Sequence, residues 1–264
     1  VPIGVIMFQE VHNANVAVLQ SVMNSAAPPG VTYALATYTN SSEDGFAGAQ
    51  AMFFRTDLLN ENVGGHIDIS TGAGRFADRW VVRLNNYLAP LASFYCYSSH
   101  LKAENTPADE ATRLAGVQAI RNNSNTLAST AHIIYAGDQN FYDNLETGYL
   151  HYLSAGNGQA VDLLGTGSWA GGTQANNLKH SQSPLLTSVN GLVGGGMNDR
   201  FDFQLITNDF NDAAGLSYIA NTYRTLGNDG LHFNAAINAG NNFYYPGNLP
   251  RSNALAANLV IASD

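Results

Sequence analysis

Residues 92–140 change their hydrophobic period twice, and this limits the folds open to the chain. "ASFYCYSSHL" (92–101) has the aromatic and apolar content of a strand. "TPADEATRLAGVQAIRNNSNTL" (106–127) brings Leu114, Val117, Ile120 and Leu127 to one helical face. Thr106 is placed to cap that helix, Pro107 to occupy its first position and Asp109 to sit in its first turn. "HIIYA" (132–136) is a second short apolar run, closed by Gly137. Strand, helix and strand in this order predict a crossover between strands of one sheet.

The remaining segments fit around that unit. "VPIGVIMFQEV" (1–11), "VTYALATYT" (31–39), "AQAMFFRTDLL" (49–59) and "RWVVRLNNYL" (79–88) read as strands. "DNLETGYLHYL" (143–153) predicts a short helix. From about 155 to 199 the chain is rich in Gly, Asn and Ser, with little period, and reads as a long elaborated loop. "RFDFQLIT" (200–207) and "NLVIASD" (258–264) predict two further strands. No internal repeat and no linker interrupts the pattern, so residues 1–264 are expected to form one α/β domain.

The 264 residues are 45% apolar, enough for a sizeable core, yet only 12% are charged and the formal net charge is −9. Non-specific adhesion to nucleic acid rests on Lys and Arg against phosphate. The charge therefore argues against a strong DNA binder, although a bound metal could supply positive charge locally. The single cysteine, Cys96, excludes an internal disulfide and a cysteine-based metal cage; it reads as a small core residue. Two lysines in the whole chain and the triplets Asn40-Ser-Ser42 and Asn122-Asn-Ser124 suit an exported, secreted protein. No run of residues is long and apolar enough for a membrane span.

Polar groups recur where apolar runs end. Glu10 follows "VIMFQ", His100 follows "FYCYSS", Asp138 and Asn140 follow "IIYAG", Asp202 lies in "RFDFQLI" and Asp264 follows "LVIAS". Singly, each is an ordinary cap or turn residue. If the runs lie side by side, the ends converge on one polar pocket. Its carboxylates suit Mg²⁺ or Mn²⁺ rather than a zinc cage.

Their order carries a resemblance. "FQEV" (8–11), "SSHLKA" (98–103), "YAGDQN" (135–140), "RFDFQL" (200–205) and "ASD" (262–264) resemble the successive motifs of the endonuclease/exonuclease/phosphatase family, which includes deoxyribonucleases, apurinic endonucleases and sphingomyelinases. The resemblance spans nearly the whole chain. It implies a four-layer, deoxyribonuclease-like sandwich: two packed mixed β-sheets flanked by helices, with the site at one edge. It also implies roles. Glu10, with Asp264, would hold the catalytic Mg²⁺ or Mn²⁺. Asp138 would orient or deprotonate the attacking water. Asn140 would hold a phosphate oxygen and help place Asp138. His100 would contact phosphate or act as an acid, with Asp78 as its carboxylate partner. Asp202 would orient a second histidine; Asp199 is the rival for that role.

Two parts of the family pattern are not in this sequence. One is the strand before "QE"; the other is the His of the closing Ser-Asp-His, since the chain stops at Ser263-Asp264. The resemblance thus implies a fragment trimmed at both ends, inactive by itself if that imidazole is essential. Asp229 and His232 in "GNDGLHFN" (227–234) do not match the Asp-His pair, because two residues separate them. The activity implied is metal-dependent phosphodiester hydrolysis, with an endonuclease acting on nucleic acid ahead of a phosphatase or a lipid phosphodiesterase. The competing expectations are a non-catalytic binding module of an exported protein and a generic α/β binding protein.

Overall fold

A computed structural model of the protein describes residues 3–169, 174–240 and 253–262. The chain falls into two compact units: Val1–Asn140, Thr147–Leu163 and Gln204–Tyr218 form one, and Phe141–Glu146, Leu164–Phe203 and Ile219–Asp264 the other.

The first unit holds two sheets. β1 (Val5–Val11), β2 (Tyr33–Leu35) and β3 (Ala49–Arg55) form a small antiparallel sheet in the order β1-β3-β2. β4 (Leu59–Glu61), β5 (Ile67–Ser70), β6 (Phe76–Leu84), β7 (Ser93–Ser98), β8 (His132–Asp138), β9 (Ala160–Asp162) and β10 (Asp202–Thr207) form the larger sheet, with Asp202 and Phe203 at the start of β10 assigned to the second unit. Its order is β4-β6-β7-β8-β10-β9, with β5 also paired to β6. β7 and β8 pair in parallel from Phe94 opposite His132 to Ser98 opposite Ala136, and the helix between them is the crossover the period change predicts.

Strand alternation assigns the faces. Met52 and Phe54 of β3, Trp80 and Val82 of β6, and Phe94 and Cys96 of β7 meet in one core between the sheets. The alternate residues of β3, Ala51 and Phe53, pack with Val16, Leu19 and Met23 of α1 (Asn13–Ala26). That covers the small sheet on its outside and explains why every residue of β3 is buried. On the large sheet, Arg79 and Tyr97 point the other way and donate to Asn123 Oδ1 of α2 (Pro107–Ser124) at 3.1 and 2.8 Å. Helix, sheet, sheet and helix make the four layers.

α2 begins as expected. The Asp109 N–H donates to Thr106 Oγ1 and the Thr106 N–H donates to the Asp109 carboxylate, a reciprocal cap. Its buried face is Arg113, Gly116, Val117, Ile120, Arg121 and Ser124; the helix ends before Leu127. The strand at 31–39 shortens to β2, and the helix at 143–153 shortens to α3 (Thr147–Tyr152). One expectation is overturned. The "NLVIASD" segment is no strand as far as Ala262, because Asn253–Ala262 is a helix, α4, of the second unit. Its Ala254, Ala256, Ala257 and Leu259 favour helix, and this outweighs the short Val260-Ile261 pair.

Candidate active site

The site is built at the ends of β1, β7 and β8 in the first unit. On the core-facing side, the Gln9 side chain of β1 donates to Ser98 Oγ of β7 at 2.9 Å, and Ser98 donates to Gln50 Oε1 of β3 at 3.0 Å. These bonds tie the two sheets together next to the residues that follow.

Glu10 reaches the site through an irregularity. The β1–β3 register shifts between Phe8 and Val11, and Glu10 has a φ of 56°. A left-handed Glu is uncommon and needs support from its surroundings. Gly48 supplies it: a Cβ there would stand 2.6 Å from the Glu10 carbonyl carbon. The Glu10 carboxylate is 43% exposed and takes the Arg75 guanidinium on Oε1. Arg75 was not foreseen from the sequence. Its only signal is an isolated cation beside glycine in "GAGRF", in a chain with few cations.

His100 lies between two carboxylates. Nδ1 is 3.4 Å from Glu10 Oε1 and Nε2 is 3.4 Å from Asp138 Oδ2. Burial, and after it the Arg75 charge, holds the imidazole down at about 4 against the upward pull of Glu10. At neutral pH it is uncharged and has one N–H for two acceptors. Nδ1 is buried and makes no hydrogen bond.

Asp138 ends β8 and is fixed from behind. The Asn140 N–H donates to Asp138 Oδ1 at 2.9 Å, and the Leu101 N–H donates to the Asp138 carbonyl oxygen at 2.9 Å. Asn140, with a φ of 51°, is a residue type that tolerates the left-handed region. Its side-chain amide donates to the Leu101 carbonyl at 3.1 Å. The structure thus brings Glu10, His100, Asp138 and Asn140 together.

Asp78 does not pair with His100. It faces His66 across β5 and β6, with Oδ2 3.6 Å from His66 Nε2, because β6 pairs with β5 opposite Asp68. Burial pushes the Asp78 carboxyl up to about 6. Asp202 falls in the second unit, where its backbone exchanges hydrogen bonds with Ser181 Oγ. Asp199, also there, accepts from the Ser181 and Gln182 N–H groups through its carbonyl, and burial raises its carboxyl. Asp264 lies outside the described residues. Asp229 and His232 of the second unit form a buried pair at 2.8 Å.

No protein-family model and no curated protein matches the chain. Solved structures do. TDP2 of D. rerio, complexed with a single-strand DNA product, is 16% identical at a TM-score of 0.52, over 77% of this chain and 70% of that one. A functionally unknown conserved protein of Enterococcus faecalis V583 is 12% identical at 0.51, over 88% and 81%. An endonuclease/exonuclease/phosphatase family protein of Bacteroides thetaiotaomicron is 14% identical at 0.49, over 77% and 68%. The chain has the endonuclease/exonuclease/phosphatase fold. At these identities the likeness speaks for the architecture alone, so the chemistry rests on the residues.

That fold implies a divalent metal, and the Glu10 carboxylate is of the type that would hold one, although the one group of three candidate ligands among the described residues is His66, Asp68 and Asp78. Glu10 offers carboxylate oxygens, which suit a hard cation. Glu10 Oε1 already carries a positive group, Arg75, and a buried imidazole nitrogen without a hydrogen bond faces the same oxygen. Among the described residues no helix is long and apolar enough to cross a membrane.

Proposed function

We propose that this protein hydrolyses phosphodiesters with a divalent metal, and that nucleic acid is the substrate class, cut internally. The observation that carries the reading is the row Glu10, His100, Asp138, held at 3.4 and 3.4 Å by three strand ends. Glu10 would hold Mg²⁺ or Mn²⁺. When bound, the ion supplies positive charge to the phosphoryl oxygens.

The chain's own residues do the rest. Asp138, oriented through Oδ1 by Asn140, takes the proton of the attacking water on Oδ2. His100, uncharged at neutral pH, has a single N–H, which on Nε2 faces that oxygen and steadies it. Asn140 keeps one amide hydrogen for a phosphate oxygen, the other being held by Leu101. Asp202 and Asp199 remain proposed partners of a second histidine. Export is proposed on the small lysine count and on the triplet at exposed Asn40; in the second triplet Asn122 is exposed but Ser124 is buried in α2. One solved neighbour holds a single-strand DNA product, so nucleic acid is the substrate tested first.

The net charge of −9 favours a second reading, a small or lipid-borne phosphate ester, since anionic polymers are repelled. Plasmid nicking in Mg²⁺ or Mn²⁺ decides. Nicking that EDTA stops, and that Asp138→Ala loses, is the expected result. A folded protein that leaves the plasmid intact but cleaves a small phosphodiester would replace the first reading with the second.

A further inference from the structure

His66, Asp68 and Asp78 take no part in the site above. His66 immediately precedes β5, Asp68 lies on β5 and Asp78 is its cross-strand partner on β6. One ligand atom from each lies within 4.8 Å of those of the other two. His66 Nε2 is 3.3 Å from Asp68 Oδ1 and 3.6 Å from Asp78 Oδ2. The His66 side chain is only 8% exposed, with its ring against Trp80 at 5.6 Å between centroids.

Two facts set this group apart from an ordinary His–Asp contact. His66 Nε2 and Asp68 Oδ1 are buried, and neither makes a hydrogen bond. Buried polar atoms without partners are costly, and here two of them, with Asp78, face the same point. The spacing also has a meaning. Atoms bound to one ion at about 2.1 Å and at tetrahedral angles stand about 3.4 Å apart. The separations of 3.3 and 3.6 Å straddle that value, whereas the longer one exceeds a hydrogen bond.

We propose that His66, Asp68 and Asp78 bind a divalent ion of the zinc type through one imidazole nitrogen and two carboxylate oxygens. An imidazole ligand disfavours Mg²⁺ and Ca²⁺, which take all-oxygen sets. Three protein ligands leave a fourth position for water. Asp68, 27% exposed at its side chain, gives the ion a path from solvent. The ion would pin β5 to β6 and fix the residues leading into the hairpin. It is a different site, with different ligand chemistry, from the one at Glu10.

Calorimetric titration of ZnCl₂ into the chelator-stripped chain tests this, beside Co²⁺ absorption in the visible. One tight zinc per chain is expected, with a Co²⁺ spectrum of low coordination number. Asp68→Asn, a substitution at a partly exposed position, should weaken zinc by more than the about 10–100-fold that loss of an outer-shell partner causes. His66→Ala should abolish binding, while Glu10→Gln should leave it intact. A folded wild type that takes up no zinc overturns the site. So does zinc binding that survives in Asp68→Asn but disappears in Glu10→Gln.

Discussion

His100 Nε2 lies 3.4 Å from Asp138 Oδ2, and this contact joins the ends of two parallel strands, β7 and β8. The crossover helix α2 sets those strands side by side, so the pair is a product of topology rather than of a loop. Asp138 oriented in this way is the proposed base. Asp138→Asn keeps the shape and the Asn140 contact but cannot take a proton. Nicking by that variant should fall about 10²–10⁴-fold, the usual contribution of a positioned acid or base. Its far-ultraviolet dichroism and melting curve should match the wild type. Retention of full activity would remove Asp138 from the chemistry.

Gly137, just before Asp138, has a φ of 128°, a region closed to other residues without strain. A methyl group there would collide with the Ser99 carbonyl oxygen. Gly137→Ala must therefore shift either the end of β8 or the turn carrying His100. It should cost about 1–3 kcal/mol in urea unfolding, as strained backbone positions do. It should lower activity more than that loss of stability explains. An alanine variant with wild-type stability would show that this end of β8 is not confined as described.

Glu10, His100, Asp138 and Asn140 were legible as a group because each follows an apolar run, two to four residues past its last apolar residue. Strand alternation does not set their faces, since Glu10 lies at the register shift of β1 and His100 and Asn140 lie beyond the ends of β7 and β8. Arg75 was not legible, because its contact depends on the irregularity in β1 and on Gly48 making room for it. Asp78 was misassigned because β5 is only four residues long, and its register against β6 sets which histidine Asp78 meets. α1 also escaped notice. Val16, Leu19 and Met23 mark the face that packs on the sheet, but exposed Val18 and Val22 give the helix a second apolar stripe that blurs the period. At α4, alanine content outweighed the two β-branched residues that suggested a strand.

Cys96 sits in the core between the sheets, fully buried, and burial pushes its thiol up to about 12. The thiolate is the reactive form, so the native protein should be inert to a disulfide reagent such as DTNB at pH 8. In denaturant, one thiol per chain should react at once, because Cys96 is the only cysteine. Rapid native labelling would mean that the two sheets open readily, against the packing described.

Arg121 links the fold's stability to the site. It is buried in α2, and its guanidinium donates to the carbonyls of His151, Tyr152 and Ser154, at and just past the end of α3. Those carbonyls have no partner within the helix, so the cation both satisfies them and meets the negative end of the helix dipole. α3 in turn carries Tyr152, whose hydroxyl donates to Gln139 Oε1 at 3.1 Å, next to Asp138. Arg121→Met fills similar space but removes the donor from the Tyr152 and Ser154 carbonyls, while the His151 carbonyl keeps the Ser154 N–H and hydroxyl. Each buried group left without a hydrogen bond costs about 1–3 kcal/mol, so the expected loss is about 2–4 kcal/mol, with part of the helix end finding water. Lysine should not rescue it, since one ammonium cannot reproduce the planar fork that reaches several carbonyls together. Amide hydrogen exchange gives the sharper check. Protection should fall first at Thr147–Tyr152 and at the end of β8, while β3 keeps its protection. Uniform loss across both sheets would instead make Arg121 a general core residue, with no special hold on the edge that carries Asp138.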